Sequence, residues 1–397
     1  MKRLGVVLAI LACVVPNPAP AARPVPQDTT PVWSWDARRI AFSRETATQL
    51  DSTSKVLTIA AGGRGGTRLT SGGKFRAGVP QAWRNGGNEL AVAVDSGLSL
   101  LTMWWGAQIA TLYGGYPSWS PNGAHLAYLR GSSLVVGGPY GEAPQPIAAD
   151  ARGAPVWSPD GGKLAYRDVE GRLVVVDADG AGEHVVAPAG DNPSWSPDGK
   201  ALAFESDVLE PGRWTIWSVE VDGSRLTPLF PGPWNTRRVT WKPVGSVLAF
   251  ISDRERVPGG ATPFQYALLS ASPEDDRPPR KLADDVHPFS PVRWSPTGAQ
   301  IAYAAGRECN RWGIYDQNPE LRRERRLTNL CRFQGDSGRN VLRGTPYPDF
   351  INAGGGNDLV LARDGARDTI DCGPGTDVAR VDRIDIVEHC EHVRRPR

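Results

Sequence analysis

The sequence predicts an all-β protein, a seven-bladed β-propeller with a six-bladed ring as the alternative, on three observations. The 45 Gly, 35 Pro and 14 Trp among 397 residues describe a chain of many turns and short strands, not one of long helices. A motif cleanest as Trp195-Ser196-Pro197-Asp198-Gly199 recurs at Trp33, Trp83, Trp119, Trp157, Trp195, Trp241 and Trp294, at spacings of 50, 36, 38, 38, 46 and 53 residues. Each repeat holds four strand-like runs, as a propeller blade needs, since such a unit cannot bury both faces without neighbours.

The elements of one repeat follow in order. Trp closes the first strand, and Ser-Pro-Asp-Gly makes a tight turn. There Pro presets the first dihedral, Asp accepts from nearby amides and Gly supplies a positive φ. The return strand opens with an aliphatic-Ala-aromatic triplet, as in Leu164-Ala165-Tyr166, Leu202-Ala203-Phe204 and Ile301-Ala302-Tyr303. All seven copies keep the Ala, at Ala41, Ala91, Ala127, Ala165, Ala203, Ala249 and Ala302. Side chains alternate along a strand, so this small residue faces away from its bulky neighbours and leaves room for the Trp of an adjacent strand or blade. Asp198 reads as a turn residue, because Asn122, Val244 and Thr297 stand in its place elsewhere. At Trp83 the turn becomes Arg84-Asn85-Gly86-Gly87, and this divergent copy is what keeps six blades open.

The pattern W-S-P-D-G-x-x-L-A-F, with Asp222-Gly223 and then Arg225-Leu226-Thr227, resembles the WD40-like repeat of the TolB family over residues 31–333. The resemblance implies an extracytoplasmic propeller that binds envelope proteins through one face. Trp33 follows the N-terminal segment at once, leaving no room for the α/β domain that precedes the TolB propeller, so a Tol–Pal role is not expected.

Lys2 and Arg3 before an apolar run over 4–15, then Ala19-Pro20-Ala21-Ala22, read as a signal peptide over 1–21 with a Pro-rich linker over 22–30. The run is too short to span a bilayer. The expected location is secreted or extracytoplasmic, with lipid anchoring at Cys13 of Ile10-Leu11-Ala12-Cys13 the less favoured alternative. Without Cys13 four cysteines remain, and chain order pairs Cys309 with Cys331 and Cys372 with Cys390, although three connectivities stay open. A net charge of +2 gives no global field for nucleic acid or an anionic membrane, and a monomer is expected.

From residue 335 the period shortens to nine, as GDSGRNVLR, GTPYPDFIN, AGGGNDLVL, RDGARDTID and CGPGTDVAR, with Ala362 as one extra residue. These segments resemble the hemolysin-type repeats-in-toxin (RTX) nonapeptide G-G-x-G-x-D-x-U-x. The resemblance implies a short parallel β-roll in 334–397 whose turns bind Ca²⁺ through Asn340, Asp349, Gly356, Asp358, Asp368, Gly375 and Asp377. Oxygen ligands at turns suit a hard cation. Turns one, three and five keep Gly in position four and Asn or Asp in position six, as Gly338 and Asn340, Gly356 and Asp358, Gly375 and Asp377. Calcium is expected on that side first. It would structure the tail after export, since calcium is abundant outside the cell. The alternative is a calcium-free cap held by Cys372 and Cys390, with Arg363, Arg367, Arg380 and Arg383 as counter-charges.

Gly335-Asp336-Ser337-Gly338 looks like the nucleophile segment of trypsin-like proteases, but Arg339 breaks that pattern and the segment fits the nine-residue register. A G-x-S-x-G elbow is absent from the sequence. A partner-binding face is expected at Trp234, Arg237 and Arg238, an aromatic beside two arginines, with Asp191 and His287 in neighbouring loops that feed inner strands. The function expected from these residues is a non-enzymatic scaffold recognising an envelope or extracellular protein or glycan. The alternative is a propeller-based extracellular hydrolase or polysaccharide lyase using His287.

Overall fold

The structure, a computed structural model, describes residues 27–47, 52–61, 68–69, 79–95, 98–103, 108–254, 266–275, 277–306, 313–328, 332–345 and 349–396. The signal segment, Cys13, Cys309 and Cys331 lie outside the described residues. Seven four-stranded antiparallel sheets follow one another, each made of four consecutive strands in chain order. The blade around the opening motif is Asp191–Trp195, Ala201–Ser206, Thr215–Glu220 and Thr227–Leu229. The divergent copy also forms a blade, Val79–Trp83, Glu89–Asp95, Leu98–Met103 and Gln108–Leu112, so the ring has seven. The first inner strand, Gln27–Trp33, begins inside the segment read as a linker. Among the described residues no helix is long and apolar enough to cross a membrane.

The repeated tryptophan and alanine explain how the blades hold together. In all seven propeller core clusters the Trp of one blade packs with the Ala of the blade before it: Trp83 with Ala41, Trp119 with Ala91, Trp157 with Ala127, Trp195 with Ala165, Trp241 with Ala203 and Trp294 with Ala249. The seventh pair, Trp33 with Ala302, joins the first blade to the last. Trp83, Trp157, Trp195 and Trp33 each also donate an indole N–H to a backbone carbonyl of the preceding inner strand, Val32, Ser118, Val156 and Arg293, at 2.9–3.1 Å. The ring therefore closes by packing and by the Trp33 bond, and among the described residues no blade borrows a strand from another.

The turn after each Trp is a local hydrogen-bonded unit. Ser196 Oγ donates to Asp198 Oδ1 (2.6 Å) and accepts from the Ala201 N–H (3.0 Å), while Gly199 adopts a φ of 70°. The Ser196 hydroxyl holds the Asp198 carboxyl below the usual carboxylate range. The same serine-to-acceptor bond recurs at Ser34 and Asp36, Ser120 and Asn122, and Ser158 and Asp160. Asp198 is thus part of the turn.

Two devices shape the inner strands, whose free edges face the channel. Proline stands at Pro31, Pro80, Pro117, Pro155 and Pro193, removing donors from those edges. Register shifts before the Trp mark β-bulges in six inner strands. In four of these the residue three before the Trp has a positive φ: Thr30 (53°), Tyr116 (55°), Asn192 (50°) and Arg238 (56°). A bulge re-aims a side chain that a regular strand would direct elsewhere.

The tail is a roll of two parallel four-stranded sheets. One contains Arg332–Gln334, Phe350–Asn352, Thr369–Asp371 and Ile386–Glu388, and the other Val341–Arg343, Leu359–Ala362, Val378–Val381 and His392–Arg394. Position eight of the nonapeptide points inward, so Ile351, Val360, Ile370 and Ala379 form a fully buried core. Cys372 and Cys390 are disulfide-bonded across 18 residues of sequence. Replacing Cys372 with Ala is expected to cost the tail about 2–4 kcal/mol, by the cross-link entropy of a loop this size. Chemical denaturation followed in the tail would read this, and an unchanged midpoint would show that the bond is not stabilising.

Candidate functional site

Two regions gather chemistry-bearing side chains. In the propeller, a cavity of about 540 Å³ lies against the inner strands of blades four to seven. Its ionisable lining is Arg152, Arg167, Arg238, Lys242 and Arg293, with Asp191 as the one carboxylate. Asp191 pairs with Arg167 at 3.3 Å. Lys242 reaches out to Glu320 at 3.2 Å. Arg152 sits directly across the strand pair from Arg167, a placement of like charges that costs stability unless an anion or a carboxylate intervenes.

Behind this wall lies Glu205, fully buried on the second strand of blade five. Its carboxylate accepts from the Arg238 backbone N–H at 2.6 Å and from Arg237 Nε at 3.4 Å. Burial pushes the Glu205 carboxyl up, against the pull of Arg238 and Arg237. Burial lowers Arg238. Arg293, ringed by protein yet open to the channel, is pushed down to about 10 by burial and by Arg238.

His287 stands next to this group. Its Nδ1 accepts from the N–H of Phe289 (3.1 Å) and of Ser290 (3.0 Å), so Nε2 carries the proton of the neutral ring. Burial, and then the Arg238 charge, lower its pKa to about 4. At neutral pH it is an uncharged hydrogen-bond donor through Nε2, in the way neutral imidazoles serve as electrophiles.

Of the residues expected on a binding face, Arg238 and Asp191 line the cavity, His287 adjoins Arg238, and Arg237 bonds Glu205 while its guanidinium lies 4.5 Å from the Trp214 ring. Trp234 is apart from them, with Arg254 over its ring at 4.8 Å. Sequence reasoning missed Arg152, Arg167, Arg293 and Glu205. Alignment of the inner strands on their Trp, with attention to the bulge three residues before it, would have pointed to part of this wall.

The second region is the acidic tail. On the side of turns one, three and five, Asp358 Oδ1 accepts from the Asn340 N–H (2.8 Å) and Asp377 Oδ1 from the Asp358 N–H (2.6 Å). The second oxygen of each, Oδ2, is buried without a hydrogen-bond partner. A Cβ on Gly356 would sit 2.6 Å from the Gly338 carbonyl oxygen, so glycine is what allows these turns to stack; Gly375 occupies the equivalent position one coil on. On the opposite side, Asp349, Asp364 and Asp368 bring carboxylate oxygens within 4.8 Å of one another. This group of three carboxylates falls on the side of turns two and four, where Asp364 near the start of turn four joins the two Asp that close turns two and four. Asp364 Oδ2 and Asp368 Oδ2 are again buried and unpartnered. Burial and the Asp364, Asp349 and Asp385 carboxylates push Asp368 up to about 7. Buried carboxylate oxygens without donors, on both sides of a glycine-stacked turn column, fit Ca²⁺.

Comparison with known proteins bears on both regions. Residues 334–368 match the model of the RTX calcium-binding nonapeptide repeat in four copies, and calcium is the ion of this tail. No curated protein matches the chain in sequence. Among solved structures the chain is similar to a TolB of Agrobacterium tumefaciens (19% identity, 69% of this chain and 95% of that one, TM-score 0.47). It is also similar to a puromycin-hydrolyzing peptidase of Mycobacterium tuberculosis (14%, 82% and 63%, 0.54) and to a puromycin hydrolase (14%, 76% and 53%, 0.54). The chain spans about half to two thirds of those two hydrolases, and the likeness is one of fold. The expectation of a non-enzymatic protein is corrected on these findings. The propeller is one that solved enzymes share, and three convergent carboxylates form a group able to hold a metal.

Proposed function

We propose that the protein is an extracytoplasmic enzyme, a propeller-based hydrolase or lyase of a glycan or peptide, with its active site at the channel wall of blades four to seven and a calcium-structured tail. One observation carries this reading: Arg238 and Arg293 line a single cavity, with Glu205 bonded to the Arg238 N–H and His287 within reach of the Arg238 charge, and all four are moved from their ordinary pKa values. Groups with shifted pKa values beside a cleft are where catalytic sites are sought.

The residues have distinct tasks in this reading. Arg238 and Arg293 stabilise negative charge that develops on the substrate. His287 donates a hydrogen bond from Nε2 without adding charge. Glu205 holds the bulge that carries Arg238. Asp191, paired with Arg167 at 3.3 Å, is the lining carboxylate placed to take a proton.

His287→Ala is expected to lower turnover at least a hundredfold while the fold is unchanged, with His287→Gln recovering part of the loss because it restores a donor. The assay is release of reducing ends, unsaturated products or peptide fragments from extracellular polymers, with calcium present. Wild-type protein that turns over none of them, or a His287→Ala variant as active as wild type, would sink the proposal.

A further inference from the structure

We propose that the channel contains an anion subsite, formed by Arg293 and Arg238 with Arg152 and Arg167 alongside, that takes the carboxylates of a sugar-acid chain. This deepens the preceding reading and rests on the channel being the functional site.

The charge balance is the first observation. Four arginines line a cavity whose only lining carboxylate among the described residues, Asp191, is already held by Arg167. The Arg293 side chain makes no ion pair among the described residues; its one hydrogen bond there, at 3.4 Å, goes to the Val292 carbonyl. Arg152 has no partner among the described residues and faces Arg167 across the strand pair. Guanidinium forks match carboxylates in two-point contacts, so an incoming carboxylate would meet donors on Arg152 and Arg293 that no carboxylate among the described residues occupies.

The second observation concerns the shape of the ligand. A volume of about 540 Å³ suits a ligand of a few sugar rings and excludes a folded protein. An extended peptide would ordinarily bind by adding a strand to a sheet edge. Here the inner edges are interrupted by Pro155 and Pro193 and by bulges at Gly153, Asn192 and Arg238. Recognition therefore falls to side chains, and the lining of the arginine cavity includes Pro193 and Pro291, apolar rings against which the C–H faces of sugar rings can lie.

The test is calorimetry on the full chain with calcium present, using trigalacturonate, the neutral trisaccharide maltotriose, inorganic phosphate and a tri-aspartate peptide. Trigalacturonate is expected to bind in a salt-sensitive manner and the other three to bind at least tenfold more weakly. Arg293→Ala is expected to weaken trigalacturonate about ten- to a hundredfold, the loss of a charge-assisted two-point contact, with Arg293→Lys in between. Arg238 sits at a φ of 56°, where Ala can disturb the bulge, so Arg152→Ala serves as the second variant and is expected to weaken binding severalfold. The proposal is overturned if trigalacturonate fails to bind, if phosphate or the peptide binds as tightly, or if neither variant changes its affinity. Binding as expected without turnover of any polymer would defeat the enzymatic reading and leave this one standing; turnover of a neutral polymer without uronate binding would do the reverse.

Discussion

Trp157→Ala is expected to destabilise the propeller by about 3–5 kcal/mol, the cost of removing a large aromatic from a packed core. The ring is 8% exposed and packs with Ala127 of the preceding blade together with Leu164 and Tyr166 of its own. Its N–H also bonds the Ser118 carbonyl at 2.9 Å. Truncation removes apolar contact on both sides of a blade boundary and takes the indole donor from a part-buried carbonyl. Against a typical total of about 5–15 kcal/mol this is a large share, and the melting temperature should fall by roughly 6–15 °C. Trp241→Ala is the internal comparison. That ring is only partly buried and its N–H bonds nothing, so its loss should be clearly smaller. Equal losses for the two, measured by urea denaturation, would mean that the inter-blade bond contributes nothing.

Calcium removal should have the next largest effect, and its sign depends on pH. Four buried carboxylate oxygens, on Asp358, Asp377, Asp364 and Asp368, have no donor. Without a cation, the Asp368 pKa of about 7 in the fold stands above its ordinary 3.8. A raised carboxylate pKa favours the folded state while the proton is bound, and that contribution is lost as pH rises from about 4 through about 7. The chelated tail should therefore melt higher at pH 5 than at pH 8, and calcium should reverse the order because it replaces the proton. Asp368→Asn follows the same logic in both directions. It should weaken calcium binding at least tenfold, yet raise the melting point of the chelated tail at pH 8 by removing a buried charge. If the chelated tail is equally stable at both pH values, the carboxylate cluster is hydrated and not under strain.

Most of the propeller was legible from local chemistry. The Trp spacing, the Ser-Pro-Asp-Gly turn and the invariant Ala of the seven copies each have one physical job, and the packing of Trp157 on Ala127 or Trp195 on Ala165 is the contact their sizes call for. The tail was legible for the same reason, since position eight of each nonapeptide must be apolar to fill a narrow roll. The channel wall was not. Arg293 and Arg152 look like any surface arginine in the sequence, and Glu205 reads as an ordinary strand residue until Arg238 of the next blade folds over it.

What the sequence determined by itself is therefore the repeated part: blade, turn and coil, all set by contacts between residues close in the chain or at a fixed period. What only the tertiary structure decided is the chemistry. Seven blades had to close, through Trp33 against Ala302, before residues from Arg152 to Arg293 shared one cavity. Turns two and four had to stack before Asp349 met Asp364 and Asp368. Charge acts through space, and the distances between these groups are fixed by ring closure and coil stacking rather than by their spacing along the chain.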